Sequence, residues 1–185
     1  MTTMGTSIAH AVTAIRQGGV VIYPTEGVFG IGCDYRVKQS VQRILKLKER
    51  SVNKGLVLIA SHIQQILPLV QPLKREHLAR ALKTWPGHHT WVFPTSPLTP
   101  KWITGDFDSV ALRVSDHPVV KSLCDELGHA LVSTSANISN QPTPNNCKEL
   151  QELWQNEVNY YLDLPLGSAT GPSTIRLVDS GEVIR

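Results

Sequence analysis

The sequence predicts an α/β fold in which helices flank a mixed parallel and antiparallel sheet. Short apolar runs bounded by Gly or Pro alternate with segments whose apolar residues recur every three or four positions, as strands and helices alternate in α/β domains. The chain has 185 residues, a length that suits one domain, residues 1–185, with its own core and makes two domains a squeeze. No internal repeat or low-complexity tail interrupts the pattern.

Ile8, Val12 and Ile15, with alanines between them, place an amphipathic helix before Gly18-Gly19, and Val20-Val-Ile-Tyr23 comes next as a buried strand closed by Pro24. Residues 25–32, Thr-Glu-Gly-Val-Phe-Gly-Ile-Gly, read as a glycine-spaced loop. A helix is expected at about 39–48, a strand at 56–60 and a helix near 74–83. Strands are expected at Thr90–Phe93, between Pro86-Gly87 and Pro94, and at Val110–Val114 after a proline-rich loop. A helix over 117–127 stops at Gly128, and Ala130–Ser133 makes a short strand. Asn140–Asn146 reads as an exposed connection, since the carboxyl-terminal stretch beyond it is too short to fold alone. Strands near 158–162, 174–178 and 182–184 complete the sheet.

The formal net charge of +3 and a pI of about 8.8 describe a mildly basic surface, compatible with an anionic ligand and too weak to identify a nucleic-acid binder. Cys33, Cys124 and Cys147 are odd in number and widely spaced, which argues against a disulfide framework or a zinc knuckle and fits a reducing cytoplasm. No apolar run is long enough to span a bilayer, and the amino terminus lacks the charged and apolar regions of a signal peptide.

Chemistry is concentrated in four places where strands or loops end, the usual position of a ligand in open α/β sheets. The first is Lys46–Gly55, which packs four cations into ten residues before an apolar strand. Val41, Ile44, Leu45 and Lys48 fall at i, i+3, i+4 and i+7, so Lys48 either extends the buried stripe and needs a partner, or lies just past the helix end; Arg43 and Lys46 belong to the outer side. The second is Arg113, which shares a strand face with Ala111 and opposes Val110, Leu112 and Val114. Its planar fork suits a two-bond grip on a carboxylate or phosphate; the alternative is a solvent-facing strand surface. The third is Ser133-Thr-Ser-Ala-Asn137, either a helix cap or a nest of N–H groups for phosphate oxygens. The fourth is Thr25-Glu26, where Glu26 is either a base or half of a structural ion pair. The Gly167–Ser173 loop lacks the Gly-Lys-Ser/Thr end of a P-loop, His88-His89 lacks a zinc-binding frame, and no GxSxG elbow marks a covalent nucleophile.

In this order, Tyr23-Pro-Thr-Glu26 with Gly30-x-Gly32, Lys48-x-Arg50, Trp85-Pro-Gly87, Ala111-Leu-Arg113 and Ser135-Ala-Asn137 resemble the YrdC/TsaC family of threonylcarbamoyl-AMP synthases, from about residue 8 to the carboxyl terminus and in the family's short, single-domain form. The resemblance implies a twisted mixed sheet with a concave basic cleft. It also implies a cytoplasmic enzyme that makes L-threonylcarbamoyladenylate and pyrophosphate from L-threonine, bicarbonate and ATP with Mg²⁺. Partner proteins then use the adenylate to modify the adenosine beside the tRNA anticodon. By motif, Lys48 and Arg50 would be catalytic and contact ATP phosphates. Thr25 and Arg113 would hold threonine, and Ser133, Ser135, Asn137, Ser173 and Arg185 would extend the ATP site. Mg²⁺ would be carried by the phosphates, with no protein side chain as ligand. No histidine stands in Leu56–Ile59, where longer relatives place one.

That chemistry brings two anions together, and their repulsion calls for cations and alignment more than for a nucleophile. Two other readings compete. One is a module that holds tRNA or double-stranded RNA by its phosphates without reaction, against which the low aromatic content of 6% counts. The other is carbamoyl adenylation, as in YrdC-like domains of hydrogenase-maturation proteins, which carry additional domains.

Overall fold

The strands of the computed structural model, which describes residues 3–185, divide into two five-stranded sheets where the sequence suggested one. In chain order the elements are β1 (Thr3–Gly5), α1 (Ile8–Arg16), β2 (Val21–Pro24), β3 (Phe29–Gly32), α2 (Lys38–Leu47), β4 (Val57–Ala60), α3 (Arg75–Leu82), β5 (His89–Pro94), α4 (Lys101–Thr104), β6 (Ser109–Val114), α5 (Pro118–Leu127), β7 (Leu131–Val132), β8 (Thr134–Ser135), α6 (Cys147–Trp154), β9 (Tyr160–Leu162) and β10 (Thr174–Leu177). One sheet has the order β1-β9-β2-β3-β8 and the other β10-β5-β6-β4-β7. Each mixes parallel and antiparallel pairs.

The chain passes from one sheet to the other at Ser133. Val132 pairs with Leu58 of β4, while Thr134 and Ser135 pair with Ile31 and Gly30 of β3. Residue 133 is therefore a junction and not the last residue of a strand. On one side, α1 and α5 cover both sheets: Val12, Ile15, Val120 and Leu123 pack in a single cluster with Val21 and Tyr23 of β2 and with Ile59 of β4 and Leu131 of β7. The sheets thus share a core, and the cleft between their edges is held at fixed width by buried apolar contacts.

Several expectations need correction. Residues 29–32 are a strand, not part of a loop, and pair antiparallel with β2. Phe29 and Ile31 alternate with Gly30 and Gly32 in a strand buried throughout, one face of which is glycine because a neighbour comes too close: a Cβ on Gly32 would lie 2.2 Å from the Val132 carbonyl oxygen. Residues 182–184 form only a single bridge, Arg176 to Val183. The segment after Asn146 is a helix, opened by a reciprocal cap in which the Asn146 side chain accepts from the Glu149 N–H and donates to its carboxylate. Neither β1 nor α4 was foreseen. All three cysteines are buried and free. Among the described residues no helix is long and apolar enough to cross a membrane.

The segment 167–173 lies across the 25–28 turn as a strap. The Gly167 and Ala169 N–H groups donate to the Thr25 and Glu26 carbonyls, each at 2.9 Å. The approach is close enough that a Cβ on Gly27 would sit 2.0 Å from the Gly171 carbonyl oxygen. Gly27→Ala is therefore expected to displace the strap and to lower stability by about 1–3 kcal/mol, read by urea denaturation. A variant as stable as the parent would contradict this packing.

Candidate functional site

A cavity of about 450 Å³ opens between the two sheets. Its floor is a row of side chains in register across the second sheet, Leu177, Val92, Ala111 and Val57, on β10, β5, β6 and β4 in turn. The opposite wall comes from Gly30, Thr134 and Ser135 of the first sheet. The nine residues assigned by motif, Thr25, Lys48, Arg50, Arg113, Ser133, Ser135, Asn137, Ser173 and Arg185, line it, whereas Glu26 does not. The charged lining residues are Lys48, Arg50, Lys54, Arg113 and Arg185. Among the described residues only Arg113 of these five is in an ion pair.

Both sequence readings of Lys48 hold in part: α2 has ended, with Lys48 as its C-cap, yet the side chain is only 2% exposed. Its ammonium donates to the Ser135 carbonyl at 2.5 Å, the Asn137 carbonyl at 2.8 Å and Asn137 Oδ1 at 3.2 Å. Its own carbonyl accepts from the Ser139 N–H and hydroxyl. Lys48 therefore clamps the 135–139 turn at both ends. Three acceptors satisfy the donors, but no carboxylate balances the charge. Burial, followed by the charges of Arg50 and Arg185, pushes its pKa down to about 8.

The turn that Lys48 holds is not a nest of free N–H groups. Those of Ala136, Asn137 and Ser139 donate to the carbonyls of Phe29, Ser135 and Lys48. The Asn137 side chain is equally engaged, accepting from Lys48 and the Ser135 hydroxyl and donating to the carbonyls of Ile138 and Gln141. Asn137 shapes the wall, and anion attraction falls to the cations.

Arg50 donates from Nη2 to the Gly55 carbonyl at 3.0 Å, while its Nε is buried without a partner. Arg185 reaches the Ser173 carbonyl at 3.3 Å, and the Ser173 hydroxyl meets that of Thr90 at 2.7 Å. Burial lowers the pKa of both arginines, and Arg50's charge contributes to the shift of Arg185, so like charges crowd one side of the cavity. Thr104 also lines the cavity, with its hydroxyl buried and without a partner. Sequence carried no signal for it, since it arrives on the unforeseen α4.

Arg113 shares the cavity face with Ala111, as alternation required, while Leu112 and Val114 enter the core. It is 5% exposed, which removes the solvent-facing alternative. Its two-pronged grip is partly used within the protein, however. Nη2 is paired with Glu26 Oε2, and Nε donates to the Gly87 carbonyl at 3.2 Å. Glu26 Oε1 accepts from the Ser115 hydroxyl at 2.7 Å. Burial raises the Glu26 pKa, but Arg113's charge and the Ser115 hydrogen bond outweigh it, and the carboxyl is held below its usual range. Glu26 is thus the ionised half of a buried ion pair, with both carboxylate oxygens engaged by Arg113 and Ser115. Ser115, one residue past β6, was missed from sequence although strand ends were the places searched. Thr25 donates its hydroxyl proton to the Val28 carbonyl at 2.6 Å, so toward the cavity it offers lone pairs, which suit an amine or hydroxyl and not a carboxylate.

The Sua5/YciO/YrdC family model, described as "Telomere recombination", matches residues 13–185. A threonylcarbamoyl-AMP synthase of Pseudoalteromonas translucida is 46% identical over 181 residues, covering 97% of each chain. One of Coxiella burnetii is 43% identical over 179 residues, covering 97% of this chain and 96% of its own. Among solved structures, P. abyssi Sua5 complexed with L-threonine superposes with a TM-score of 0.89 at 27% identity. All of this chain is covered there but only 56% of the other, so the chain spans about half of that protein.

Since Lys48 titrates near 8 when no anion is near, an anion should bind more weakly as pH rises through that value and the ammonium loses its proton. Sulfate, which does not titrate in this range, is expected to raise the melting temperature more at pH about 7 than at about 9. Lys48→Met should abolish the difference. An equal response at both pH values in the parent protein would contradict the assignment.

Proposed function

Because the chain belongs to the Sua5/YciO/YrdC family, we propose that it is an L-threonylcarbamoyladenylate synthase, acting as a nucleotidyltransferase in the cytoplasm with residues 1–185 as one domain. The observation that carries the reading is the convergence of Arg50, Arg185, Lys48 and Arg113 on one cavity with a single carboxylate, Glu26, among their partners. Relatives named as synthases over nearly their full length favour catalysis over a module that only holds RNA.

In this reading the amine of L-threonine adds to the carbon of bicarbonate with loss of water, giving a carbamate. A carbamate oxygen then attacks the α-phosphorus of ATP, the bond to the bridging oxygen breaks, and pyrophosphate leaves. Both partners are anions, so their encounter requires positive charge fixed before they arrive. Arg50 and Arg185 would take the triphosphate, with Lys48 supplying charge from behind the 135–139 turn. Arg113 would offer Nη1, which has no protein partner among the described residues, to the threonine carboxylate. Thr25 would accept a hydrogen bond from the amine or hydroxyl, keeping the amino acid oriented. The apolar row Val57–Ala111–Val92–Leu177 would receive the adenine ring. A Mg²⁺ ion carried on the nucleotide's own oxygens would offset phosphate charge. The adenylate would pass to partner proteins that modify tRNA.

Pyrophosphate release is expected to require L-threonine, bicarbonate and ATP together. Arg50→Ala should lower kcat/KM by about 10²-fold or more while the circular dichroism spectrum stays unchanged. Release that does not depend on threonine would sink the reading.

A further inference from the structure

The inner edge of Arg113 has a second acceptor that the proposed reaction does not use. His88 Nδ1 lies 3.1 Å from Arg113 Nη2, the nitrogen already paired with Glu26. Nη2 carries two protons, so one goes to the carboxylate and the other requires a lone pair on Nδ1. His88 Nε2 is buried beneath the strap and faces the Gly171 and Pro172 backbone, which favours a proton on that nitrogen although no hydrogen bond of full geometry is formed. With Nε bound to Gly87, the three inner donors of the guanidinium are occupied and Nη1 is left for the cavity.

We propose that His88, as a neutral imidazole with its proton on Nε2, is a positioning residue for Arg113, fixing which edge of the guanidinium meets the amino-acid carboxylate and so setting affinity for that substrate. The inference rests on the proposed role of Arg113 in holding threonine. Protonation of His88 would turn Nδ1 into a donor facing another donor and set two cations in contact, releasing the guanidinium from its orientation. Arg113 from β6 and Glu26 from the 25–28 turn face the ring, and the strap above it has no titratable side chain. His117, at the start of α5, feels the same two charges, and the adjacent His89 feels Arg113 and Arg176. Burial first, then Arg113, lowers the His88 pKa against the opposing pull of Glu26 and the strap backbone, which keeps the ring neutral at neutral pH.

The test is the KM for L-threonine between pH about 6 and about 8 in the parent, His88→Asn and His88→Ala. Asparagine Oδ1 replaces Nδ1 as an acceptor that does not titrate. The parent KM should rise several-fold toward acid, His88→Asn should keep the neutral-pH value without the rise, and His88→Ala should show a raised KM throughout. Ionisation of ATP and bicarbonate is common to all three and cancels in their ratios, and kcat should match the parent. An acid rise retained in His88→Asn, or an unchanged KM in His88→Ala, would overturn the proposal. A measurement without substrate separates its failure from that of the synthase reading: by NMR, the His88 titration should move up in Arg113→Gln and further down in Glu26→Gln. A midpoint that neither variant moves would refute the contact.

Discussion

The Lys48 ammonium is buried without a counter-ion, and the neighbouring structure is arranged around that fact. An isolated buried ammonium is costly enough that it either loses its proton or finds several acceptors. Here the acceptors are the carbonyls of Ser135 and Asn137 and the Asn137 amide oxygen, all on the turn just past the junction between sheets. One cation therefore secures the end of α2 to the wall of the cavity. The same turn draws its remaining bonds from β3 and from Lys48's own backbone. Removing the ammonium would loosen the wall as well as discharge it.

The two principal cation groups are treated differently, and the difference suits their proposed partners. Arg113 is locked by Glu26, Gly87 and Ser115 behind it, a rigid receptor for one small carboxylate. Arg50 and Arg185 hold single carbonyl contacts and no carboxylate, so their charge is available to a larger and more highly charged anion. The two-sheet architecture brings them together. The second sheet supplies Arg113 and the apolar floor, and the sheet junction supplies Ser133 and Ser135. Holding charge in place in advance serves a reaction whose barrier is dominated by bringing anions into line.

Local pattern made much of this legible. The stripe Val41, Ile44, Leu45, Lys48 turned Lys48 inward, and strict alternation in β6 put Arg113 beside Ala111 on the cavity face. What sequence could not give depends on partners far along the chain. Ser133–Asn137 admitted a nest reading beside that of a helix cap because the acceptors of its N–H groups lie far along the chain, Val57 for Ser133 and Phe29 for Ala136. β3 was hidden because glycines fill one of its faces, a choice dictated by Tyr23 and by the Val132 carbonyl. The division into two sheets turns on the single residue Ser133, which no periodicity marks. Glu26 had two chemical readings until Arg113 and Ser115 were found on its oxygens.

The most direct measurement of the central claim is mass spectrometry of the nucleotide product formed from ATP, L-threonine and isotopically labelled bicarbonate. The account requires an AMP adduct that contains threonine and carries the label from bicarbonate. An adduct of threonine and AMP without the label, or AMP alone, would contradict it.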